Sequence, residues 1–221
     1  MDRQSLERLV ANGEGQRLEF KRKVRHPDKI AREFVAFANS VGGTILIGVG
    51  DDGEIAGLKD PLGEAYILEQ WLEKHVSPSL PYQRVDIHIT AHRRVLYYQV
   101  QSGPEKPYRI LGLTDSGQPQ KVAYIRCADR SLRASRELIQ ILRLRKRDQG
   151  VNITIGDREK RLLKHLEHHA DITLASAQKL LDLNKRKTSG LLVLLTLAGL
   201  LRIHTNERGD RYSLAREAFE S

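Results

Sequence analysis

Phe37-Ala38-Asn39-Ser40-Val41-Gly42-Gly43-Thr44-Ile45-Leu46-Ile47-Gly48-Val49-Gly50-Asp51-Asp52-Gly53 is the stretch on which the fold turns. Ahead of and within it, Ile30, Phe34, Phe37, Ala38 and Val41 repeat at helical spacing behind Pro27, a residue suited to a first helical turn. A helix is therefore expected to run up to Gly42-Gly43 and stop there. Thr44 to Val49 then reads as a buried strand, Asp51-Asp52-Gly53 as its turn, and Glu54 to Gly57 as the start of a returning strand. Gly48 to Gly53 also satisfies Gly-x-Gly-x-x-Gly. A dinucleotide-binding loop must open a helix, however, and two acids in a strand turn would repel pyrophosphate.

Outward from this stretch, Leu6, Leu9 and Val10 give a short helix face ending near Asn12-Gly13. In Arg17-Leu18-Glu19-Phe20-Lys21 the alternation sends Leu18 and Phe20 to one face of a strand and Glu19 and Lys21 to the other. Residues 61–76 form a second helix, with Trp71 in the core. Arg84–Thr90 and Arg94–Gln101 form a hairpin, and only one of Tyr97 and Tyr98 can face outward to stack on a base. A strand over Lys121–Arg126 leads into a basic helix from about Ser135. Strand runs separated from helices indicate an α+β class, a mixed sheet with packed helices.

From Asp148 the helical period is lost, so residues 1–147 are assigned to a first domain, 148–155 to a linker and 156–221 to a second. In the second, Leu162, Leu163 and Leu166 mark one helix, and Ala177, Leu180 and Leu181 another. Asn184 caps a third, which carries Leu191, Leu192, Leu194, Leu195 and Leu197 and ends at Gly199. Leu201–Thr205 and Arg211–Leu214 are short strands around Asn206-Glu207-Arg208-Gly209-Asp210.

The 221 residues include 37 Lys and Arg against 28 Asp and Glu, a formal charge of +9 that favours polyanionic partners. Nine of the cations fall in residues 121–147, with only Asp129 and Glu137 as acids, which makes that stretch a candidate phosphate-facing surface through Arg126, Arg130 and Arg133. One cysteine, Cys127, excludes an internal disulfide and a cysteine zinc site. No apolar run has membrane length, and Met1–Asn12 is charged at Asp2, Arg3, Glu7 and Arg8, so a cytoplasmic protein without a membrane partner is expected. His165, His168 and His169 read as surface histidines.

The C-terminal segment, roughly residues 156–215, resembles a winged helix-turn-helix. The resemblance implies a recognition helix whose first turn is Asn184, Lys185, Arg186, Lys187, Thr188 and Ser189, with Arg208 and Arg211 flanking the wing. A small dimerisation module with a solvated basic turn is the alternative.

Three motifs in order, Glu14-Gly15-Gln16-Arg17-Leu18-Glu19-Phe20-Lys21, Phe37-Ala38-Asn39-Ser40-Val41-Gly42-Gly43 and Ile47-Gly48-Val49-Gly50-Asp51-Asp52-Gly53-Glu54-Ile55-Ala56-Gly57, resemble the Schlafen-type AlbA-like family. Lys106-Pro107-Tyr108 and Ala123-Tyr124-Ile125-Arg126 extend the likeness over about residues 14–135. The resemblance implies nucleic-acid binding, and regulators of transcription among bacterial members. Some eukaryotic relatives cut transfer RNA with a carboxylate trio, which by position falls on Glu14, Glu19 and Asp51, with Lys21 beside them; Asp52 competes with Asp51 for the third place. Such a trio would hold Mg²⁺ or Mn²⁺. The same acids also fit a turn, a loop cap and an exposed strand pair. No phosphate loop for ATP exists, and no cofactor is expected unless the chain is a nuclease.

The leading expectation is thus a DNA-binding transcriptional regulator, with RNA and a homodimeric partner as further options. A metal-dependent endoribonuclease acting on structured RNA such as transfer RNA, and a protein-interaction module, are the alternatives.

Overall fold

The computed structural model describes residues 2–114, 116–145 and 154–215. The chain divides into two compact units, Met1–Arg133 and Ala134–Ser221.

The N-terminal unit runs α1 (Arg3–Val10), β1 (Leu18–Lys21), α2 (Pro27–Asn39), β2 (Gly43–Ile47), α3 (Pro61–His75), β3 (Val76–Ser77), β4 (Tyr82–Thr90), β5 (Arg93–Val100), β6 (Arg109–Leu113), β7 (Pro119–Val122), β8 (Tyr124–Cys127) and β9 (Arg130–Arg133). Its main sheet has the order β1-β2-β5-β4: β1 and β2 are parallel, with α2 as the crossover, and the other pairs are antiparallel. Strand alternation divides the core. Ile45, Ile47, Leu96, Tyr98 and Val100 pack with Phe34, Phe37, Leu68 and Leu72 of the two long helices on one face. Leu46, Phe20, Ile87 and Val95 pack with Leu6 and Val10 of α1 on the other.

Both glycines after α2 are sterically required. Gly42 has φ +80, and a Cβ there would lie 2.8 Å from the Val100 carbonyl oxygen; at Gly43 it would lie 2.6 Å from the Phe37 ring. Asn39, the last residue of α2, is buried. Its amide accepts from the Tyr108 N–H (2.8 Å) and donates to the Tyr108 and Tyr124 carbonyls (both 2.9 Å), tying the helix end to the chain just before β6 and to β8.

The C-terminal unit runs α4 (Arg136–Arg145), α5 (Asp157–His168), β10 (Ile172–Thr173), α6 (Leu174–Leu181), α7 (Lys185–Leu197), β11 (Leu201–His204) and β12 (Arg211–Leu214). Its antiparallel sheet has the order β10-β12-β11. Leu162, Leu166, Leu181, Leu192, Leu195, Leu201 and Tyr212 form its core.

Several expectations shift. The α+β class holds. Val41 lies beyond α2 and is 51% exposed. The returning strand at 54–57 is reduced to one bridge, Val49 to Ile55. The strand at 121–126 is two strands, β7 and β8, and β6 and β9 accompany them. The basic helix assigned to the first domain belongs with the second unit, because Leu138, Ile141 and Leu142 form a buried stripe and Glu137 accepts a hydrogen bond from Ser189 (2.6 Å) on α7. The unit boundary therefore precedes α4. Of the linker proposed at 148–155, residues 148–153 lie outside the described residues. Among the described residues, no helix is long and apolar enough to cross a membrane.

Candidate nucleic-acid interface

In the N-terminal unit the alternation of β1 turns Glu19 away from the apolar face that holds Phe20. Glu19 is nonetheless only 7% exposed, and an anion so placed requires partners. One carboxylate oxygen accepts from the Lys21 ammonium and the other from Arg126 Nη2 at 2.7 Å. Arg126 is buried in turn: Nη1 meets Glu33 of α2 at 2.5 Å, Nη2 meets the Gly15 carbonyl at 2.8 Å, and the guanidinium lies 4.9 Å from the Phe37 ring centre. Ser131 of β9 also donates to Glu33. Two carboxylates and two cations thus balance. Burial, followed by the Glu19 charge, raises the Glu33 pKa above its ordinary value, while Ser131, Arg126 and Lys21 pull it down.

Glu14 accepts from the Phe20 N–H at 2.7 Å. Although the residue is exposed, partial desolvation of its carboxyl group raises its pKa; the Phe20 N–H and Lys21 act downward, and Glu19 and Asp51 upward. Asp51 is exposed, and Asp52 accepts from the Glu54 N–H (3.0 Å) as a turn residue. The trio implied by resemblance is therefore within electrostatic range, but its central member is committed to Arg126 and Lys21. Among the described residues, no three His, Cys, Asp or Glu side chains gather to hold a metal ion. As arranged, Glu14, Glu19 and Asp51 do not fit a Mg²⁺ or Mn²⁺ centre.

Arg126 was expected on a phosphate-facing surface and is instead an interior residue, because Glu19 and Glu33 draw it inward. Arg130 and Arg133, on β9, are exposed; Lys146 and Arg147 lie outside the described residues. The stretch Arg22–Arg32 is a second cationic surface that lies outside the stretch expected from composition. Arg22, Lys23, Arg25, Lys29 and Arg32 are all exposed there, and the run of cations with one acid, Asp28, was the signal that could have found it.

In the C-terminal unit Asn184 caps α7 by accepting from the Lys187 N–H at 2.9 Å. Lys185, Arg186 and Lys187 are exposed on the first turn, while Leu191, Leu192, Val193 and Leu195 are buried behind them. Thr188 and Ser189, expected beside them at the interface, have other tasks. Thr188 is fully buried and donates to the Asn184 carbonyl (3.1 Å), and Ser189 donates to Glu137. Arg208 is exposed on the loop between β11 and β12. Arg211 is tied to Asp171 (Nε 2.7 Å, Nη2 2.5 Å), a hydrogen bond that lowers the Asp171 pKa. His165 stacks on His169 at 3.9 Å, and burial, then that neighbour, lowers its pKa.

No curated protein matches the chain. Among solved structures it is similar to the DIP2311 protein from Corynebacterium diphtheriae, at 18% identity and a TM-score of 0.45, over 96% of this chain and 42% of that one. The chain thus spans less than half of that protein's length. A family model described as Schlafen, AlbA_2 matches residues 14–135, which cover the N-terminal unit from the Glu14 turn through β9. That match covers more than half of the sequence and carries with it a nucleic-acid-binding role in general terms; the chain belongs to the Schlafen AlbA_2 family.

Proposed function

We propose that the protein is a DNA-binding transcriptional regulator whose C-terminal unit is a winged helix-turn-helix reading duplex DNA with the first turn of α7. The observation that carries this reading is the joint exposure of Lys185, Arg186 and Lys187 on a helix anchored by buried leucines. A helix held that way can enter a major groove by its N-terminal turn without disturbing the core. The order helix, strand, helix, helix, strand, strand supports the assignment, as does an exposed arginine, Arg208, on the loop joining the last two strands. The Arg211–Asp171 pair joins the base of that hairpin to the end of the loop before β10 and steadies it.

The test is equilibrium binding of the full chain to a short DNA duplex over a range of salt. Replacing Lys185, Arg186 and Lys187 together with Ala should weaken binding and make the slope of log affinity against log salt shallower by up to about 3, since each phosphate contact contributes roughly 0.9. Unchanged affinity and slope would remove α7 from the interface. Cleavage of transfer RNA that depends on Mn²⁺ and disappears in Glu19→Gln would replace this reading with the nuclease one.

A further inference from the structure

We infer that the N-terminal unit has its own contact surface for a DNA duplex backbone, the β1–α2 junction bearing Lys23, Arg25 and Lys29. This rests on the nucleic-acid-binding reading above and adds to it a second surface, built from a different part of the sequence than the 121–147 stretch that composition alone favours.

The arginines elsewhere in this unit are largely used by the fold. Arg84 pairs with Glu69 (2.8 Å) and Asp86 (3.1 Å), Arg93 donates to the Ala56 carbonyl (2.9 Å), and Arg126 is buried between Glu19 and Glu33. Within Arg22–Arg32 there are five cations and one acid. Arg22 is matched by Glu54 (2.8 Å) and Arg32 by Asp28 (3.6 Å), so the only acid of the stretch is already taken. Lys23, Arg25 and Lys29 are exposed and make no ion pair with any described residue. Three like charges within seven residues repel one another and do nothing for the fold; a polyanion is the partner that turns the arrangement to advantage.

The junction is also held in shape. Between Lys23 and Arg25, the Val24 side chain packs against the main core, and the Val24 N–H donates to Glu64 Oε2 of α3 at 2.5 Å. The Arg25 N–H returns to the Lys23 carbonyl at 3.1 Å, and the Lys29 N–H to His26 at 3.0 Å. The three cations are thus carried by backbone that needs little further ordering on binding, which limits the entropy lost. Residues 22–32 contain no Phe, Tyr or Trp. Single-stranded nucleic acid is held by aromatic stacking as well as charge, whereas a duplex offers phosphates alone to a surface of this kind, so the patch suits the duplex backbone without reading sequence.

The experiment compares three full-length proteins on two unrelated DNA duplexes and on transfer RNA over a salt series: wild type, Lys23→Ala with Arg25→Ala and Lys29→Ala, and a control losing the same charge at dispersed exposed positions, Arg8→Ala with Lys59→Ala and Lys74→Ala. The junction variant should bind more weakly, with a log–log salt slope shallower by about 2 to 3, while the control stays within about 1 of wild type. Its loss should be equal on unrelated duplex sequences. Equal losses in junction variant and control would show that only net charge matters, and an unchanged junction variant would show that the patch faces no phosphate; either overturns the inference. So does a loss confined to transfer RNA with duplex binding intact. Failure of the wild type to bind any nucleic acid would instead sink the functional reading on which the inference rests.

Discussion

Arg126 in the N-terminal unit and Arg186 in the C-terminal unit are the same side chain under opposite constraints. The first lies in the interior with its guanidinium on two carboxylates, a carbonyl and an aromatic ring; the second stands in water on the opening turn of α7. A buried cation organises the elements that supply its anions, here β1 and α2, and gives nothing outward. An exposed one adds almost nothing to stability and remains available to a ligand. Lys/Arg density along a chain therefore reports a binding surface only after the interior charges have been subtracted.

The contrast breaks most readily at Arg126. Arg126→Ala leaves Glu19 and Glu33 facing each other without their shared cation, and should lower the unfolding free energy by about 3 to 5 kcal/mol in urea titration. Adding Glu19→Gln and Glu33→Gln should restore much of that loss. If Arg126→Ala is as stable as wild type, the network is not the interior tie described.

A middle-sized effect is expected at the cap of α7. Asn184→Ala removes the acceptor for the Lys187 N–H and should cost about 1 kcal/mol. Because the same cap orients the basic turn, duplex affinity should fall too; an affinity loss without any stability loss would assign Asn184 to the ligand rather than to the helix.

The pH dependence sharpens the interior half of the comparison. Glu33 has a raised pKa in the folded protein, so the native state binds its proton more tightly than the unfolded chain does. Its contribution to stability is fully present below the unfolded value, near 4.5, and is lost as pH rises through the higher folded value. Glu33→Gln should therefore show a smaller drop in Tm than wild type as pH is raised through that window. An identical pH profile in thermal melts would mean the proton is held elsewhere.

The smallest expected effect is the exposed half. Replacing Lys185, Arg186 and Lys187 with Ala should change stability by no more than about 0.5 kcal/mol, measured by urea titration, despite the large expected change in binding. Marked destabilisation would show that the turn is part of the fold after all.

The sequence made the local elements plain and hid the long-range ones. α2 and β2 were readable because Pro27, the apolar spacing and Gly42-Gly43 each act within a few residues. α7 was readable because Asn184 and the leucines do the same. Arg126 looks like a surface residue in the sequence because its partners lie 107 and 93 residues earlier, and a charged residue in a strand looks identical whether it faces water or Glu19. The allegiance of α4 is hidden for a related reason: Arg136, Arg143 and Arg145 dominate its composition, while Leu138, Ile141 and Leu142 decide where it packs. In the candidate interface the exposed lysines and arginines of α7 were legible, but the roles of Thr188 and Ser189 depend on contacts that no spacing rule encodes.

The Asn39 amide has a consequence for which sequences this domain can tolerate. Its oxygen accepts one backbone hydrogen bond and its nitrogen donates two, at a depth where water does not reach. Aspartate would set a negative charge against two carbonyl oxygens, and leucine would leave three backbone groups without the partner that Asn39 supplies. Random mutagenesis selected for folded protein should therefore strongly favour asparagine at position 39 while the exposed Val41 drifts.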